Sequence, residues 1–552
     1  MTENKKTGSY YTPKILSDFL IAHIATSIKT IDDLSILEPS CGDGQFILSL
    51  IEKIDLFSSY NLNVKVVDIN KAELEKTYKY LQEIPSINSS SYCGDFLEYF
   101  LSQKCKFDII IGNPPYVNKK NMNEDSIGFC ESVHHLARKY SNKIVSKGNI
   151  KNIWPAFVEA SVMSLNDGGI LCFVLPAEIL QVKYTKELRE LIRCEFEKVE
   201  VFAFNELIFD GIEQDVIALI GYKKSSQKEL RGVSFFQVDS LNDLKEPKFT
   251  EKYSNIHRTN LDKWTNYILS DEELNLIHNL RSGIGTIKSY CDKVEVGIVT
   301  AANDYFILSQ TDVLFHKLNE IESLIKPILP KGTAVPHTLE FSTDHFNSLL
   351  ENDKRVNFVN FPNKPLITLS HIEKKYIGLG KEIRDAEGKS LDQRYKMIRR
   401  KNWYNVPSIW QSDGFFIKRS DKYPKVIVNS SGTNVTDSFY RINVNSNHSI
   451  KSLAFCFYNS LTMCLAELEG RYYGGGVLEL TPNEFKSLSV PYKEITDQQF
   501  KELNLLIEAN AELHVILDYT DPIVLDNQPR SVVDLLRESR RKLSSRRLKS
   551  SK

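Results

Sequence analysis

Asn113, Pro114, Pro115 and Tyr116 follow directly on the apolar run Phe107 to Gly112, and their types suit a reaction at a planar exocyclic amine. The Asn113 amide oxygen can accept one N–H. Pro114 has a fixed φ, and Pro115 keeps the residue before it extended, so the Pro114 carbonyl is a rigid second acceptor. Tyr116 adds a flat face on which a base can lie. Two acceptors on one NH₂ draw its lone pair out of conjugation, and the nitrogen can then attack an electrophilic methyl group. The same residues would also fit a buried strand ending in a proline turn.

The elements that must position them lie upstream. Ser35-Ile36-Leu37 runs into Glu38-Pro39-Ser40-Cys41-Gly42-Asp43-Gly44, then Phe46, Ile47 and Leu50 at helical spacing. This is strand, glycine turn and helix, the opening of a doubly wound α/β sheet. Ile47 occupies the place of the third glycine of a dinucleotide fingerprint, so a pyrophosphate is a poor fit to the turn. S-adenosylmethionine carries no phosphate, and Glu38 can accept its α-amino group. Val64 to Val67 lead into Asp68-Ile69, where an acid can take both ribose hydroxyls. Ser91 to Gly94 lead into Asp95-Phe96, an acid for the adenine amino group and an aromatic for the ring. Any one of these acids could simply cap a helix. Three in series at strand ends, followed by Asn113 to Tyr116, point to one cofactor pocket.

With these residues the chain resembles the gamma-class, TaqI-like adenine-N6 DNA methyltransferases of bacterial restriction–modification systems. The likeness runs from Gly8-Ser9-Tyr10-Tyr11-Thr12-Pro13 through Asn152 to Glu159 and on to Phe209. It implies an S-adenosylmethionine methyltransferase sheet followed by a mixed α+β target-recognition domain, with double-stranded DNA between them. It further implies cofactor contacts from Tyr11, Thr12, Pro13, Glu38, Pro39, Ser40, Cys41, Gly42, Gly44, Asp68, Ile69, Asp95, Phe96 and Asn113. Catalysis falls to Asn113, Pro114, Pro115 and Tyr116, and Tyr116 with Phe209 stacks a target base flipped from the duplex. Thr12-Pro13 can also begin a helix, and a lone Phe before a strand can be core. A cognate restriction endonuclease is an expected functional partner.

Composition fits this without adding to it. A chain of 552 residues with 42% hydrophobic content holds two or more domains. Apolar runs stay short of a bilayer span and the polar start is no signal peptide, so a cytoplasmic protein is expected. The nine cysteines show no C-x-x-C pair, and Cys130 near His134 and His135 is only a fragment of a metal pattern, so no metal is expected. The net charge of −1 makes local charge the better guide to nucleic acid. Arg394, Lys396, Arg399, Arg400 and Lys401 run into Trp403-Tyr404, and with Arg471 they are the candidate DNA contacts. The terminal block Arg537, Arg540, Arg541, Lys542, Arg546, Arg547 and Lys549 reads first as a solvated face.

Expected domains are a catalytic one at 1–225, a connecting region at 226–289, a target-recognition domain at 290–495 and C-terminal helices with a basic tail at 496–552. Asn118 to Asn149 reads as a long polar loop, and Gly297 to Phe306, Pro424 to Val428 and Gly470 to Gly476 as short strands and turns. Rival readings are an rRNA adenine-N6 methyltransferase, a protein glutamine-N5 methyltransferase and an inactive DNA-binding module. The size of the C-terminal part weighs against the first two, and the full motif set against the third.

Overall fold

The structure is a computed structural model that describes residues 11–28, 31–140, 150–204, 206–209, 215–224, 232–246, 256–258, 264–385, 388–407, 409–473 and 476–549. The chain divides into two compact units, one built on the residues up to Ile268 and one that begins at Leu269.

The first unit opens with α1 (Lys14–Ala25) and β1 (Asp33–Glu38). Alternation follows through α2 (Gln45–Glu52), β2 (Asn61–Asp68), α3 (Lys71–Gln82), β3 (Ile87–Cys93), α4 (Phe96–Gln103) and β4 (Phe107–Gly112). Then come α5 (Glu124–Tyr140), α6 (Trp154–Ser164), β5 (Leu165–Pro176), α7 (Lys186–Glu195), β6 (Phe196–Phe204), β7 (Val216–Lys223), β8 (Val233–Val238) and β9 (Ile256–Arg258). All nine strands share one sheet in the order β3-β2-β1-β4-β5-β7-β6-β8-β9. The first five are parallel, and β7 is antiparallel to both neighbours. From β1 the chain winds outward to β2 and β3, then returns to place β4 and β5 on the other side. The carboxyl ends of β1 and β4 therefore flank a topological switch point, the usual ligand crevice of such sheets.

Helices cover both faces of this sheet, which is why its central strands are continuous apolar runs. Ile109, Ile110 and Ile111 are all buried, as is every residue of β7. Each residue of α6 is buried too. Its last carbonyls are held by Lys223, whose Nζ donates to Val162 and Leu165 at 3.0 and 2.9 Å, and by Lys106, which donates to Met163 at 2.5 Å. Cations at a helix C-terminus are favourable. Burial, with Lys106 nearby, pulls the Lys223 ammonium down to about 8.

Two expectations differ here. The polar stretch after Asn118 is mostly helix α5, not loop: a sparse stripe of Cys130, Val133 and Ala137 is buried, and His134 pairs with Glu159 of α6. Residues 141–149 of that stretch lie outside the described residues. The sheet also runs past residue 225, since β8 pairs with β6 along Val199 to Phe204.

The second unit combines five-, four- and three-stranded sheets with helices. Its largest sheet orders Cys291–Val296, Phe439–Val444, Gly414–Ile417, Val426–Asn429 and Glu340–Phe341. In the stretch read as short strands and turns, the strand ends at Val296 and Asn303–Phe306 is a helical turn. Gly297 lies at that break, where a Cβ would stand 2.0 Å from the Thr436 carbonyl oxygen. Asp497–Glu508, Leu513–Val524 and Arg530–Lys549 are helices, with Phe500, Leu503 and Ile507 buried as the sequence pattern requires.

Candidate active site

Loops at the carboxyl ends of β1, β2, β3 and β4 meet around a cavity of about 280 Å³. Its walls include Tyr11 and Thr12, the turn Glu38 to Gly42, Asp68-Ile69, Asp95-Phe96, Asn113 and Pro115. These residues are far apart in sequence; the parallel register brings the strand-end ones together, and the segment before α1 adds Tyr11 and Thr12.

The glycine turn is built by backbone geometry. Gly42 and Gly44 have φ of 48° and 83°, the left-handed region that favours glycine. A Cβ on Gly44 would lie 2.6 Å from Thr77 Oγ1. The Cys41 amide donates to the Val67 carbonyl at 3.0 Å. Asp68 then accepts from the Gly42 amide at 2.8 Å and from the Asn70 amide at 2.7 Å. It pins the turn, while the cap of α3 is Asn70. Asp95 does cap α4, accepting from the Leu97 amide at 2.8 Å, and its other oxygen is 3.5 Å from Ser126 Oγ of α5.

Glu38 decides what ligand the cavity fits. It is 1% exposed, and its Oε2 has no hydrogen-bond partner. Burial, reinforced by Asp43 and Asp68, pushes its carboxyl well above the usual carboxylate range. Burial raises Asp68 and Asp95 as well. An orphaned carboxylate among crowded acids calls for a cationic ligand, which the ammonium and sulfonium of S-adenosylmethionine satisfy. Farther along, Phe96 and Phe157 have ring centroids 5.2 Å apart, and Ile69 is 71% exposed at the rim. These give the cavity apolar surfaces of the kind a flat ring requires.

At the end of β4, the Tyr116 hydroxyl lies 2.7 Å from Asn113 Oδ1 and 3.1 Å from the Val174 carbonyl. Ser40 Oγ donates to the Asn113 carbonyl at 3.2 Å, tying the ends of β1 and β4. Pro114 and Tyr116 are buried behind the cavity wall. Pro13 and Gly44, expected at the cofactor, are likewise off the lining: they stand at the starts of α1 and α2 and set the backbone there. Phe209 is buried in the core of the unit. Gly8, Ser9, Tyr10, Asp210 and Gly211 lie outside the described residues. Among the described residues no cluster could hold a metal ion.

Sequence reasoning missed one wall of the cavity, formed by Asn121, Met122, Asn123 and Ser126, with Phe157 from α6. A signal was present: the Asn123 side chain accepts from the Ser126 amide at 2.7 Å, an Asn placed as a helix cap within a stretch read as loop.

The candidate DNA contacts of the second unit separate into two groups. Arg400 donates to the carbonyls of Val299, Thr300 and Trp403 at 3.1, 2.8 and 3.2 Å, and burial lowers its guanidinium from the usual range. Tyr404 is 3% exposed and donates to the Lys364 carbonyl at 2.5 Å. Arg471 donates to Glu484 at 2.9 Å, and Arg394 lies 3.6 Å from Asp385. These four are engaged within the fold, because each has a carbonyl or carboxylate in reach. Lys396, Arg399 and Lys401 face solvent. The terminal block is partly structural as well: Arg537 pairs with Asp518 and Asp521, and Lys542 with Glu273 and Glu538. The side chains of Arg546 and Lys549, and Gly474 and Gly475, lie outside the described residues.

A doubly wound sheet with an acid-lined, cation-seeking cavity at its switch point, and Asn-Pro-Pro-Tyr at the adjoining strand end, defines an S-adenosylmethionine-dependent methyltransferase. Comparison with known proteins agrees. Residues 41–209 match the Eco57I restriction-modification methylase family, and residues 261–525 match the C-terminal domain of the type II methyltransferase M.Eco57I. The type II methyltransferase M.AccI of Acinetobacter calcoaceticus is 23% identical over 95% of this chain and 94% of its own. M.BanIII of Aneurinibacillus aneurinilyticus is 22% identical over 80% and 81%. A DrdV–DNA complex solved by electron cryomicroscopy shares the fold, with TM-score 0.53 and 13% identity over 92% of this chain and 58% of that one. The chain belongs to the Eco57I-type restriction–modification DNA methyltransferases, and its cofactor is S-adenosylmethionine.

Proposed function

We propose that the protein methylates the N6 amine of adenine at a specific site in duplex DNA, as the modification enzyme beside a cognate restriction endonuclease in the cytoplasm. The observation that carries this reading is Asn113. Its side chain lines one cavity with Glu38, Asp68 and Asp95, and the Tyr116 hydroxyl, 2.7 Å from Oδ1, orients the amide oxygen, an acceptor type that suits a substrate N–H.

S-adenosylmethionine, when bound, supplies the electrophilic methyl carbon. Glu38 would meet its positive charge, Asp68 its ribose hydroxyls, and Asp95 with Phe96 its adenine. The chain then has to present one nitrogen and hold it. Asn113 Oδ1 accepts one N6 proton and the Pro114 carbonyl the other, which concentrates the lone pair on nitrogen for in-line attack. The extra proton leaves to solvent after transfer. Because a paired adenine hides its amine inside the duplex, the base must be flipped out, and Tyr116 with Phe209 would stack it. Phe209 adjoins residues 210–214, outside those described, and its ring would have to turn from the core toward the base. The second unit chooses the site, which an rRNA or glutamine-N5 enzyme would not need.

The test is modification mapping of DNA from cells that express the protein. N6-methyladenine at one recurring sequence is expected. Methylated cytosine, or no new mark beside a methylated RNA or protein, would refute the reading.

A further inference from the structure

We infer that the turn from Tyr395 to Lys401 enters the DNA, with Tyr395 and Ile398 as the side chains that contact bases. The inference rests on the DNA reading above and adds residues that the charge pattern alone does not mark. Tyr395 and Ile398 are 64% and 63% exposed. They stand three residues apart on one helical turn, Tyr395–Ile398, and so share a face. Two large apolar side chains held in water on one turn need a partner.

The turn is held firmly. Met397 is fully buried, Arg400 is fastened to three carbonyls and Tyr404 to a fourth. Every third or fourth residue therefore points inward, and what remains outside is Tyr395, Lys396, Ile398, Arg399 and Lys401. The Arg399 guanidinium carbon sits 4.1 Å from the Tyr395 ring centroid, a cation stacked on an exposed aromatic. Lys396 and Lys401 make no hydrogen bond or ion pair among the described residues. No acid occurs between Arg394 and Ser412. A polyanion with flat apolar faces matches this surface: phosphates for the three outward cations, and base edges or an opened base step for Tyr395 and Ile398. The charge complementarity commits the surface to nucleic acid, and the family to DNA.

The experiment compares wild type, Tyr395→Ala/Ile398→Ser and Lys396→Ala/Lys401→Ala. It reads methyl transfer to mapped sites in duplex DNA, DNA affinity across salt concentrations and thermal unfolding. The apolar pair should lose about 5- to 150-fold in transfer for each base contact, with an unchanged salt slope. The lysine pair should lower the slope by about two units and keep the choice of site. Tyr395→Phe should transfer as wild type does, and all variants should unfold at the wild-type temperature. The assignment is overturned if Tyr395→Ala/Ile398→Ser methylates mapped sites at the wild-type rate, or if it unfolds early, which would make these side chains structural. A wild-type protein that transfers no methyl to duplex DNA would overturn the functional reading itself, and this assignment with it.

Discussion

The strand end at Asn113 and the turn at Tyr395 are both short runs that set an aromatic beside polar or charged residues. In the structure they differ in what fixes each residue. Around Asn113, position follows from the backbone: a residue at the carboxyl end of a parallel strand must face the switch point, whatever packs elsewhere. Around Tyr395, each role depends on a distant partner. Arg399 and Arg400 are neighbours with one chemistry, yet carbonyls from Val299 and Thr300 claim only Arg400. Motifs tied to strand ends can therefore be read singly, and basic runs cannot.

The largest effect expected is at Asn113. Asn113→Ala should lower methyl transfer by about 10²- to 10³-fold, the cost of losing one preorganised acceptor, with cofactor affinity retained by calorimetry. Near-normal turnover would remove the backbone-fixed site from the comparison. Tyr116→Phe keeps the ring and loses the hydroxyl that reaches Asn113 Oδ1 and the Val174 carbonyl, so its cost should be smaller, about 0.5–1.5 kcal/mol in the transfer barrier.

Glu38 comes next. Glu38→Gln keeps the shape and removes the charge, and should weaken S-adenosylmethionine by about 1.5–3 kcal/mol. The sign of its pH effect follows from a carboxyl raised in the fold above its unfolded value. Folding then takes up a proton, so cofactor-free stability falls as pH rises from the unfolded pKa toward the folded one. A bound cation favours the carboxylate, so cofactor affinity rises across that window with proton release. Thermal melts and calorimetry in buffers of different ionisation heat should show both trends flattened in Glu38→Gln. Asp68→Ala should cost roughly 1–3 kcal/mol of cofactor affinity, with DNA affinity unchanged. Because Asp68 also holds the Gly42 and Asn70 amides, its cofactor-free melting point should fall as well. Unchanged cofactor affinity would reduce Asp68 to a turn-holding residue.

The smallest effects sharpen the other side. Arg400→Ala should destabilise the protein by about 1–3 kcal/mol by removing a guanidinium that ties three carbonyls, two of them part-buried, whereas Arg399→Ala should stay within about 0.5 kcal/mol. Only Arg399→Ala should lower the salt slope of DNA binding, by about one unit. The reverse pattern would show that the inward and outward assignments are exchanged.

The same division explains what was legible in the sequence. The sheet and its acids could be read from local patterns, since strand, glycine turn and helix follow one another within a few residues. Helix α5 could not, because its buried face is only Cys130, Val133 and Ala137 in a polar stretch, and one of its contacts with α6 is the polar His134 to Glu159 pair. The wall from Asn121 to Ser126 was hidden with it. The place of β8 in the same sheet was not legible, since its pairing with β6 is long-range. In the second unit the helices after Asp497 were visible as an apolar stripe. The fates of Arg400, Tyr404 and Arg471 were set by partners up to a hundred residues away.

The most direct test incubates duplex DNA, structured RNA and a protein mixture side by side with labelled S-adenosylmethionine, then identifies the methylated nucleoside. With wild-type protein the account predicts N6-methyldeoxyadenosine in the DNA as the product, and with Asn113→Ala a protein that still binds cofactor but leaves the DNA almost unlabelled. Label in cytosine, a better RNA or protein acceptor, or undiminished transfer by Asn113→Ala would contradict it.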